Sequence, residues 1–355
     1  MDNLFTFEEV LNMTKTKKRN LLLGNGFSMA YDSKRFSFTS LYKSAVREGI
    51  IEKDSEIHKI FEKFETSDFE VIIKTIESSA KINEVYSVEK TVIDKMKKHT
   101  DDLKEYLVDI ITNNHPSNAS IIADCKYDRT IDNFIRHFEE IYTLNYDLLL
   151  YWTIMHLKER KDNYSMDLDC HLNENDGFSP LDAVGEGIVK WQDSNYSFFN
   201  QKIFYLHGAL HIFDDKYQII KNVYDKEEKL TLREQTLINL KSEKYPIFIS
   251  EGTSEQKLAK IIHNSYLNNC YKKFKTIEGV LIIFGTGLKA NDDHILNAIL
   301  TNNIKYQGTT NKKNPEVYLG VSDLSKISEY EHIKEKLNEN GRKLLFFDYK
   351  TVDIW

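Results

Sequence analysis

Short apolar runs alternate along the chain with stretches in which apolar residues recur every three or four positions. The first pattern is typical of buried strands and the second of amphipathic helices. Because parallel strands need long crossover connections, this alternation predicts an α/β fold with a Rossmann-like, mainly parallel sheet flanked by helices. Six strands are predicted, at residues 20–23, 140–144, 203–206, 280–284, 317–321 and 344–347.

Two segments between these strands differ from a simple crossover. Residues 41–137 carry helical periodicity over a length too great for one crossover, which predicts an inserted helical subdomain that packs over the ligand crevice at the strand ends and limits access to it. Residues 161–200 are polar and contain glycine and proline, which indicates an exposed insert. We interpret residues 1–355 as one domain with these two insertions. The remaining predicted strands are a hairpin at 211–213 and 217–220 and a short strand at 247–249.

Charge and cysteine content exclude several classes of protein. The chain has 355 residues, a net charge of −7 and 41% hydrophobic residues, and this acidic balance disfavours direct nucleic-acid binding, which needs a basic surface. The apolar runs are too short to span a membrane, and the N-terminus does not resemble a signal peptide. The three cysteines are too few for an all-cysteine zinc site, and their sparseness favours a cytoplasmic protein.

Glycines follow the first predicted strand, in the segment Gly24-Asn25-Gly26-Phe27-Ser28. Loops at the carboxyl ends of parallel strands are where α/β sheets bind ligands, and glycines allow the backbone to approach a pyrophosphate. The segment therefore predicts a nucleotide-binding loop. It lacks the third glycine of the dinucleotide fingerprint, so a tight turn that requires glycine explains the segment equally well when it is taken alone.

Polar residues follow the second and third predicted strands. Asn145 and Asp147 come after the second strand, where they could orient a substrate or cap the helix that begins there. His207 comes after the third strand, where it could act in catalysis or make a structural hydrogen bond. His207 and His211 have the spacing of a helical metal pair, but they lie on a predicted strand and turn without a nearby carboxylate. We therefore expect no metal ion.

Two further loops follow the fourth and fifth predicted strands. Gly285-Thr286-Gly287 is a second glycine loop, and Ser322-Asp323 could hold a ribose diol or cap the next helix. Each of the five loops has a structural explanation of its own. If the strands form one sheet, however, all five loops line a single crevice, and that coincidence favours a nucleotide site.

Taken in chain order, four motifs resemble the sirtuin-like superfamily: Gly-Asn-Gly-Phe-Ser, Thr-Leu-Asn-Tyr-Asp, Leu-His-Gly and Gly-Thr-Gly-Leu. The similarity is to divergent bacterial members, many of which degrade NAD in antiviral defence. Residues 246–271 also resemble a bacterial branch long described only as a domain of unknown function. The resemblance implies that Gly24 and Gly26 contact the pyrophosphate of NAD, with Ser28 beside them.

The same resemblance implies roles for the other strand ends. Asn145 and Asp147 match the family's Asn-x-Asp motif at the nicotinamide ribose, and His207 matches its catalytic histidine. Thr286 and Ser322 match positions near the adenosine half of the substrate. Protein-deacylating sirtuins, however, carry two cysteine pairs that hold zinc and place the histidine soon after Asn-x-Asp, and this chain does neither. The peptide-binding half is therefore expected to be missing or rebuilt.

We expect an NAD hydrolase that cleaves the nicotinamide–ribose bond and gives nicotinamide and ADP-ribose, in bacterial antiphage defence by NAD depletion. The catalytic candidates are Asn145, His207 and Asp147. One alternative is a module that binds NAD or ADP-ribose without turnover, and the other is an effector subunit active only in a larger complex. A homo-oligomer or a defence-complex partner is compatible with these interpretations, whereas a membrane or nucleic-acid partner is not expected.

Overall fold

A computed structural model describes residues 4–36, 41–67, 69–113, 115–164, 172–185, 187–191, 200–215, 217–223, 230–249, 253–301 and 316–355. The strands are β1 Arg19–Leu23, β2 Glu140–Thr143, β3 Phe178–Gly185, β4 Ile188–Trp191, β5 Ile203–Tyr205, β6 Gly208–Asp214, β7 Ile219–Asn222, β8 Tyr245–Phe248, β9 Val280–Phe284, β10 Val317–Val321 and β11 Leu344–Asp348. The helices are α1 Phe7–Met13, α2 Gly26–Tyr31, α3 Leu41–Arg47, α4 Glu56–Lys63, α5 Phe69–Val85, α6 Lys90–Asn113, α7 Asp124–Asn133, α8 Leu149–Tyr164, α9 Leu232–Lys241, α10 Ser254–His263, α11 Ser265–Phe274, α12 Asp293–Leu300 and α13 Glu331–Glu339.

Six strands form one parallel sheet in the order β11-β10-β9-β1-β2-β5. These are the six strands predicted from the sequence, and the α/β, Rossmann-like fold class is confirmed. The strand β9 is buried at all five positions, as expected for a strand whose two faces are both covered by helices. Because every pair in this sheet is parallel, the carboxyl ends of all six strands lie at the same edge.

A second sheet of five strands has the order β3-β4-β7-β6-β8, and all its pairs are antiparallel. It contains the predicted hairpin, formed by β6 and β7. Pro246 lies in β8, at the edge of this sheet, where a strand tolerates a residue without a backbone N–H. The chain passes from the parallel sheet to this second sheet between β5 and β6, so the two residues of that connection, Leu206 and His207, lie where the sheets meet.

The segment 161–200 is not simply an exposed insert. Its described part includes β3 and β4, and Phe178, Val189 and Trp191 are buried. Asp176 is also buried, and its carboxylate pairs with Lys221 Nζ of β7 at 2.6 Å. The expectation of an exposed insert is therefore corrected for this part, because the few apolar side chains of a polar segment are enough to pack a sheet against the core. Residues 165–171, 186 and 192–199 lie outside the described ranges.

In the described part of residues 41–137 the chain forms the helices α3 to α7, as the helical periodicity of this segment predicts. Their buried side chains, among them Phe61, Ile72 and Leu107, belong to the same hydrophobic cluster as the strands of the parallel sheet. The region is therefore packed onto the sheet through a shared core. None of the helices in the described ranges is long and apolar enough to cross a membrane.

Candidate functional site at the carboxyl edge of the parallel sheet

Three neighbouring strands end at the same level, and each is followed by a predicted site residue. The backbone N–H of Leu144, which precedes Asn145, donates to the carbonyl oxygen of Leu23, which precedes Gly24, at 2.8 Å. The backbone N–H of Leu206, which precedes His207, donates to the carbonyl oxygen of Thr143 at 2.9 Å. Gly24, Asn145 and His207 therefore follow β1, β2 and β5 at one edge, as the sequence predicts. The loops after β9 and β10 belong to the same edge, because these are the next strands in the sheet.

Ser28 joins the first of these loops to the second. Asn145 Nδ2 donates to Ser28 Oγ at 3.0 Å, and the Ser28 hydroxyl donates to Asp147 Oδ2 at 2.5 Å. All three side chains are buried, and Thr143 Oγ1 accepts from the backbone N–H of Asn145 at 3.0 Å. The two residues of the Asn-x-Asp segment are thus held through a single hydroxyl from the glycine loop, which fixes the orientation of the Asn145 amide.

Asp147 has a structural role as well. Its Oδ1 accepts the backbone N–H of Leu149, the first residue of α8, at 2.9 Å. The capping interpretation of this residue therefore holds, because the first N–H groups of a helix have no partner inside it. The other carboxylate oxygen binds Ser28. A single carboxylate both caps the helix and holds the group formed by Ser28 and Asn145.

The pKa of Asp147 leads to a prediction about stability. Burial raises this pKa from 3.8 to about 6, and the hydrogen bonds from Ser28 and Leu149 only partly oppose the rise. The contribution of Asp147 to folding is therefore fully present below about pH 4 and lost as the pH rises through about 6. Because asparagine does not titrate, we expect Asp147→Asn to gain on the order of 2–3 kcal/mol relative to wild type between about pH 4 and pH 7.

Urea unfolding of both proteins at the two pH values measures this gain. Asp323→Asn is a suitable control, because Asp323 is exposed and hydrogen bonds lower its pKa, so its difference from wild type should change in the opposite direction. A free-energy difference between Asp147→Asn and wild type that is the same at both pH values would contradict the raised pKa.

His207 is buried in the connection between β5 and β6. Its carbonyl oxygen accepts the backbone N–H of Ile249 at 2.8 Å, and its Nε2 lies 3.0 Å from Nε2 of His294. Gly208 follows with a φ of +74°. A Cβ at Gly208 would lie 1.9 Å from the carbonyl oxygen of Ile247, so glycine is required immediately after the candidate catalytic residue.

His294 is a site residue that the sequence pattern does not single out. It is the second residue of α12, which follows the glycine loop after β9, and it is 1% exposed. The only signal in the sequence is its place at the start of a helix behind a strand-end loop. Neutral imidazoles are favoured here, because burial lowers the pKa of His294 to about 4 and that of His207 well below its ordinary value.

His207, Asp292 and His294 bring potential ligand atoms within 4.8 Å of one another. The expectation that His207 has no carboxylate nearby is therefore wrong, because the start of α12 meets the connection after β5. Lys257 Nζ lies 2.8 Å from Asp292 Oδ1, where its charge offsets that of the carboxylate and repels a cation. His211, the other histidine of the predicted spacing, instead stacks on Tyr151 with ring centroids 4.1 Å apart.

The glycines of the first loop are required by protein packing. A Cβ at Gly24 would lie 2.4 Å from Thr286 Cβ, and one at Gly26 would lie 2.5 Å from Gly285 Cα. The backbone N–H groups of Gly24 and Gly26 donate to carbonyl oxygens of Phe284 and Gly285, at 2.8 and 2.7 Å. The tight-turn interpretation of these glycines is therefore correct for the contacts within the protein. A valine at Gly26 would disturb the two packed loops as well as any bound phosphate.

The remaining predicted binding residues of this loop have partners within the protein. Asn25 is exposed, and its Nδ2 donates to the carbonyl oxygen of Phe36 at 2.7 Å. Phe27 is fully buried, 4.9 Å from the Trp355 ring by centroids, so its side chain belongs to the core.

The loops after β9 and β10 are partly or fully accessible. Gly285, Thr286 and Gly287 are half-buried, and Thr286 Oγ1 accepts the backbone N–H of Leu288 at 3.3 Å. Asp323 caps the turn that follows β10 through the backbone N–H of Ser325 at 2.9 Å, and Ser322 lies beside it at 3.4 Å from Oγ to Oδ2.

The family model described as "Domain of unknown function (DUF4917)" matches residues 21–355. No curated protein matches the chain. The match covers the second sheet, the parallel sheet from Leu21 of β1 onwards, and every candidate site residue. It carries no description of an activity.

Proposed function

Because this chain belongs to the DUF4917 family, whose function is unknown, we propose its activity from the site itself: hydrolysis of NAD at the nicotinamide–ribose bond, giving nicotinamide and ADP-ribose. One observation carries the proposal. The hydrogen-bonded group of Ser28, Asn145 and Asp147 lies at the carboxyl edge of a Rossmann-like sheet, one strand away from His207. That edge is where such sheets bind nucleotides.

The chemistry of NAD cleavage suits this set of side chains. Nicotinamide leaves as a neutral pyridine, so the reaction needs no general acid, and a pair of carboxylic acids is not required. The transition state resembles an oxocarbenium ion. It is helped by polar groups that hold the ribose and the attacking water in place. A rigid amide and a neutral imidazole at one edge supply such groups.

In this proposal Asn145 orients the attacking water or a ribose hydroxyl. Its amide is suited to that task because Ser28 already fixes its orientation. Asp147 holds Ser28 in turn and fixes the neighbouring geometry. His207 acts on a ribose hydroxyl or as a base. The lowered pKa keeps its imidazole neutral near pH 7, so a ring nitrogen has a lone pair that can accept a proton.

The loops after β1, β9 and β10 would frame the rest of the substrate. The N–H groups of Gly24 and Gly26 are used within the protein, so these residues would contribute close backbone approach rather than hydrogen bonds to the pyrophosphate. Thr286 and Ser322 would face the adenosine half. This assignment rests on the order of the strands and on the sirtuin-like motifs.

The biological setting is proposed on the same resemblance. A sirtuin-like enzyme of this kind would act in the cytoplasm, depleting NAD during phage infection, alone or with a partner in a larger defence complex. The alternative functions make different predictions. A binding module would retain NAD without releasing nicotinamide, and an effector subunit would act only after a trigger.

The direct test is to incubate the purified protein with NAD and to separate nicotinamide and ADP-ribose by chromatography, with and without lysate from phage-infected cells. We expect equal amounts of the two products. Nicotinamide release only with infected lysate would support the triggered form of the enzyme. Bound NAD that is recovered intact under both conditions would support the binding module and contradict hydrolysis.

We also expect the activity to be independent of metal, because the charge of Lys257 already offsets that of Asp292. Exhaustive chelation should leave NAD turnover unchanged, and elemental analysis should find no stoichiometric metal. Zinc at one equivalent together with chelator-sensitive turnover would overturn this prediction.

A further inference from the structure

His294 links His207 to a third side chain. The Nε2 atoms of the two rings lie 3.0 Å apart, and Nδ1 of His294 lies 3.2 Å from Oγ of Ser254, the first residue of α10. His207 is 4%, His294 1% and Ser254 8% exposed. The three residues thus form a continuous buried chain of possible proton positions from the candidate catalytic imidazole to a hydroxyl.

The backbone of His294 is held at both of its polar atoms. The first N–H groups of a helix have no acceptor inside the helix, and His294 lies at this position in α12. Ser254 Oγ accepts its N–H at 2.7 Å. Its carbonyl oxygen accepts the hydroxyl of Tyr271 at 2.9 Å. A ring fixed by two neighbouring helices has little freedom to move away from His207.

The number of protons on the two neutral rings limits the hydrogen bonds they can make. Each ring has one N–H and one bare nitrogen, so the bond between the two Nε2 atoms runs in one direction only. Ser254 Oγ has two lone pairs and can accept from both the backbone N–H and Nδ1–H of His294. In that arrangement His294 Nε2 is bare and accepts from His207 Nε2–H. Nδ1 of His207 is then the nitrogen without a proton.

We propose that His294 is a positioning residue for His207, which accepts the hydrogen bond from His207 Nε2–H and so leaves His207 Nδ1 to take a proton during NAD cleavage. This inference rests on the proposed hydrolysis. In the step, the O–H bond of the attacking water breaks and an Nδ1–H bond forms. The oxygen lone pair bonds to the ribose carbon while nicotinamide leaves with its bonding electrons. The imidazolium later returns its proton to solvent.

A shared metal ion would require both Nε2 atoms to be bare. Their separation of 3.0 Å is compatible with a hydrogen bond and with two ligands of one ion, but Lys257 beside Asp292 disfavours a cation. Lys257 interacts with both rings and lowers the pKa of each, which disfavours a second positive charge between them. The carboxylates of Asp292, Asp293 and Glu255 act on the pKa of His294 in the opposite direction. We therefore assign His294 to the hydrogen bond.

The experiment combines ¹⁵N NMR of the histidine rings with steady-state kinetics. His294→Gln keeps a side-chain oxygen that can accept from Nε2–H, whereas His294→Leu has no acceptor. We expect His207 to carry its proton on Nε2 in wild type and in His294→Gln, and to show mixed tautomers in His294→Leu. The kcat for NAD should fall on the order of 10²–10³-fold in His294→Leu with little change in KM, and far less in His294→Gln.

Two further variants distinguish loss of the hydrogen bond to His207 from a folding defect. Ser254→Ala keeps His294 and removes the acceptor at Nδ1, so it should also mix the tautomers of His207. His263→Gln, at an exposed histidine of the same helix α10, should change neither the spectrum of His207 nor the kinetics. His207 protonated on Nδ1 in wild type would overturn the inference, as would equal kcat values for the Gln and Leu variants or a bound metal lost on either substitution.

The NMR part does not depend on turnover. If wild type consumes no NAD under any condition, the proposed function fails, and the tautomer of His207 still decides whether His294 accepts from Nε2–H. If wild type consumes NAD but His207 is protonated on Nδ1, hydrolysis stands and the positioning role fails. The two failures are therefore distinguishable.

Discussion

Alanine at Asn145 or at His207 is expected to lower NAD turnover on the order of 10²–10³-fold while the protein remains folded. Asn145→Ala removes an amide whose orientation is fixed by Ser28 but leaves the bond from Ser28 to Asp147 in place. His207→Ala removes the imidazole at the end of β5. Turnover is measured as nicotinamide release under conditions in which wild type is active, and folding is checked by circular dichroism.

His207→Ala also leaves a small cavity and an unpaired ring nitrogen on His294, so it should cost some stability. His211→Ala is the matched control. His211 is equally buried, at 4% exposed, and lies four residues further along in β6, where its ring stacks on Tyr151. We expect the control to lose stability but to keep turnover per folded molecule. Alanine variants of Asn145 and His207 that consume NAD as fast as wild type would show that the site is wrongly assigned.

The double variant Asn145→Ala, His207→Ala tests whether the two side chains act as a unit. If they position and activate the same nucleophile, removing both should cost less than the product of the two single losses, because the second group is of little use without the first. Multiplicative losses would instead place the two residues in separate steps.

The parallel sheet could be predicted because its strands have a strong local signal. The strands β1 and β9 are short apolar runs that end at a glycine, and both are buried along almost their whole length. A strand covered on both faces needs continuous apolar sequence, and its partners follow from the rule that crossovers join parallel strands. Six strands of this kind place their carboxyl ends together whatever the details of the loops.

The second sheet could not be predicted in full, because its strands are only partly apolar. Trp191 and Phe178 are separated from other apolar residues by polar ones, and the pairing of β3 with β4 contains register shifts. Such a sheet is stabilised by side chains from distant segments, for example by the salt bridge between Lys221 and Asp176. The sequence around either residue does not indicate that they pair.

The position of a candidate site residue can be predicted when the residue directly follows a strand, but not when it depends on a contact between two distant segments. Asn145, Asp147 and His207 follow strands directly, so the sequence locates them at one edge. The contact of Gly26 with Gly285 and that of His207 with His294 each join residues far apart in the chain. For that reason glycines assigned to a ligand also serve loop packing, and the sequence does not reveal the second histidine.

Gly208→Ala is expected to destabilise the protein by about 3 kcal/mol or more, because backbone strain and a steric clash add at this position. The residue has a φ of +74°, which costs an alanine about 1–2 kcal/mol by itself. Its Cβ would also lie 1.9 Å from the backbone oxygen of Ile247 in β8, and backbone cannot move aside as a flexible side chain can. The strands β6 and β8 must therefore separate, which moves His207.

Gly187→Ala separates the two causes. Gly187 has a similar φ of +69°, but a Cβ there meets no atom within 4 Å. We expect this control to lose only about 1–2 kcal/mol, from backbone strain. Urea unfolding of both variants gives the difference, which measures the clash with β8 alone. Because that clash displaces His207, Gly208→Ala should also lower the NAD turnover of the folded fraction, whereas Gly187→Ala should not. Equal losses of stability in the two variants would mean that the connection after β5 can relax, and that the geometry of His207 is not fixed by Gly208.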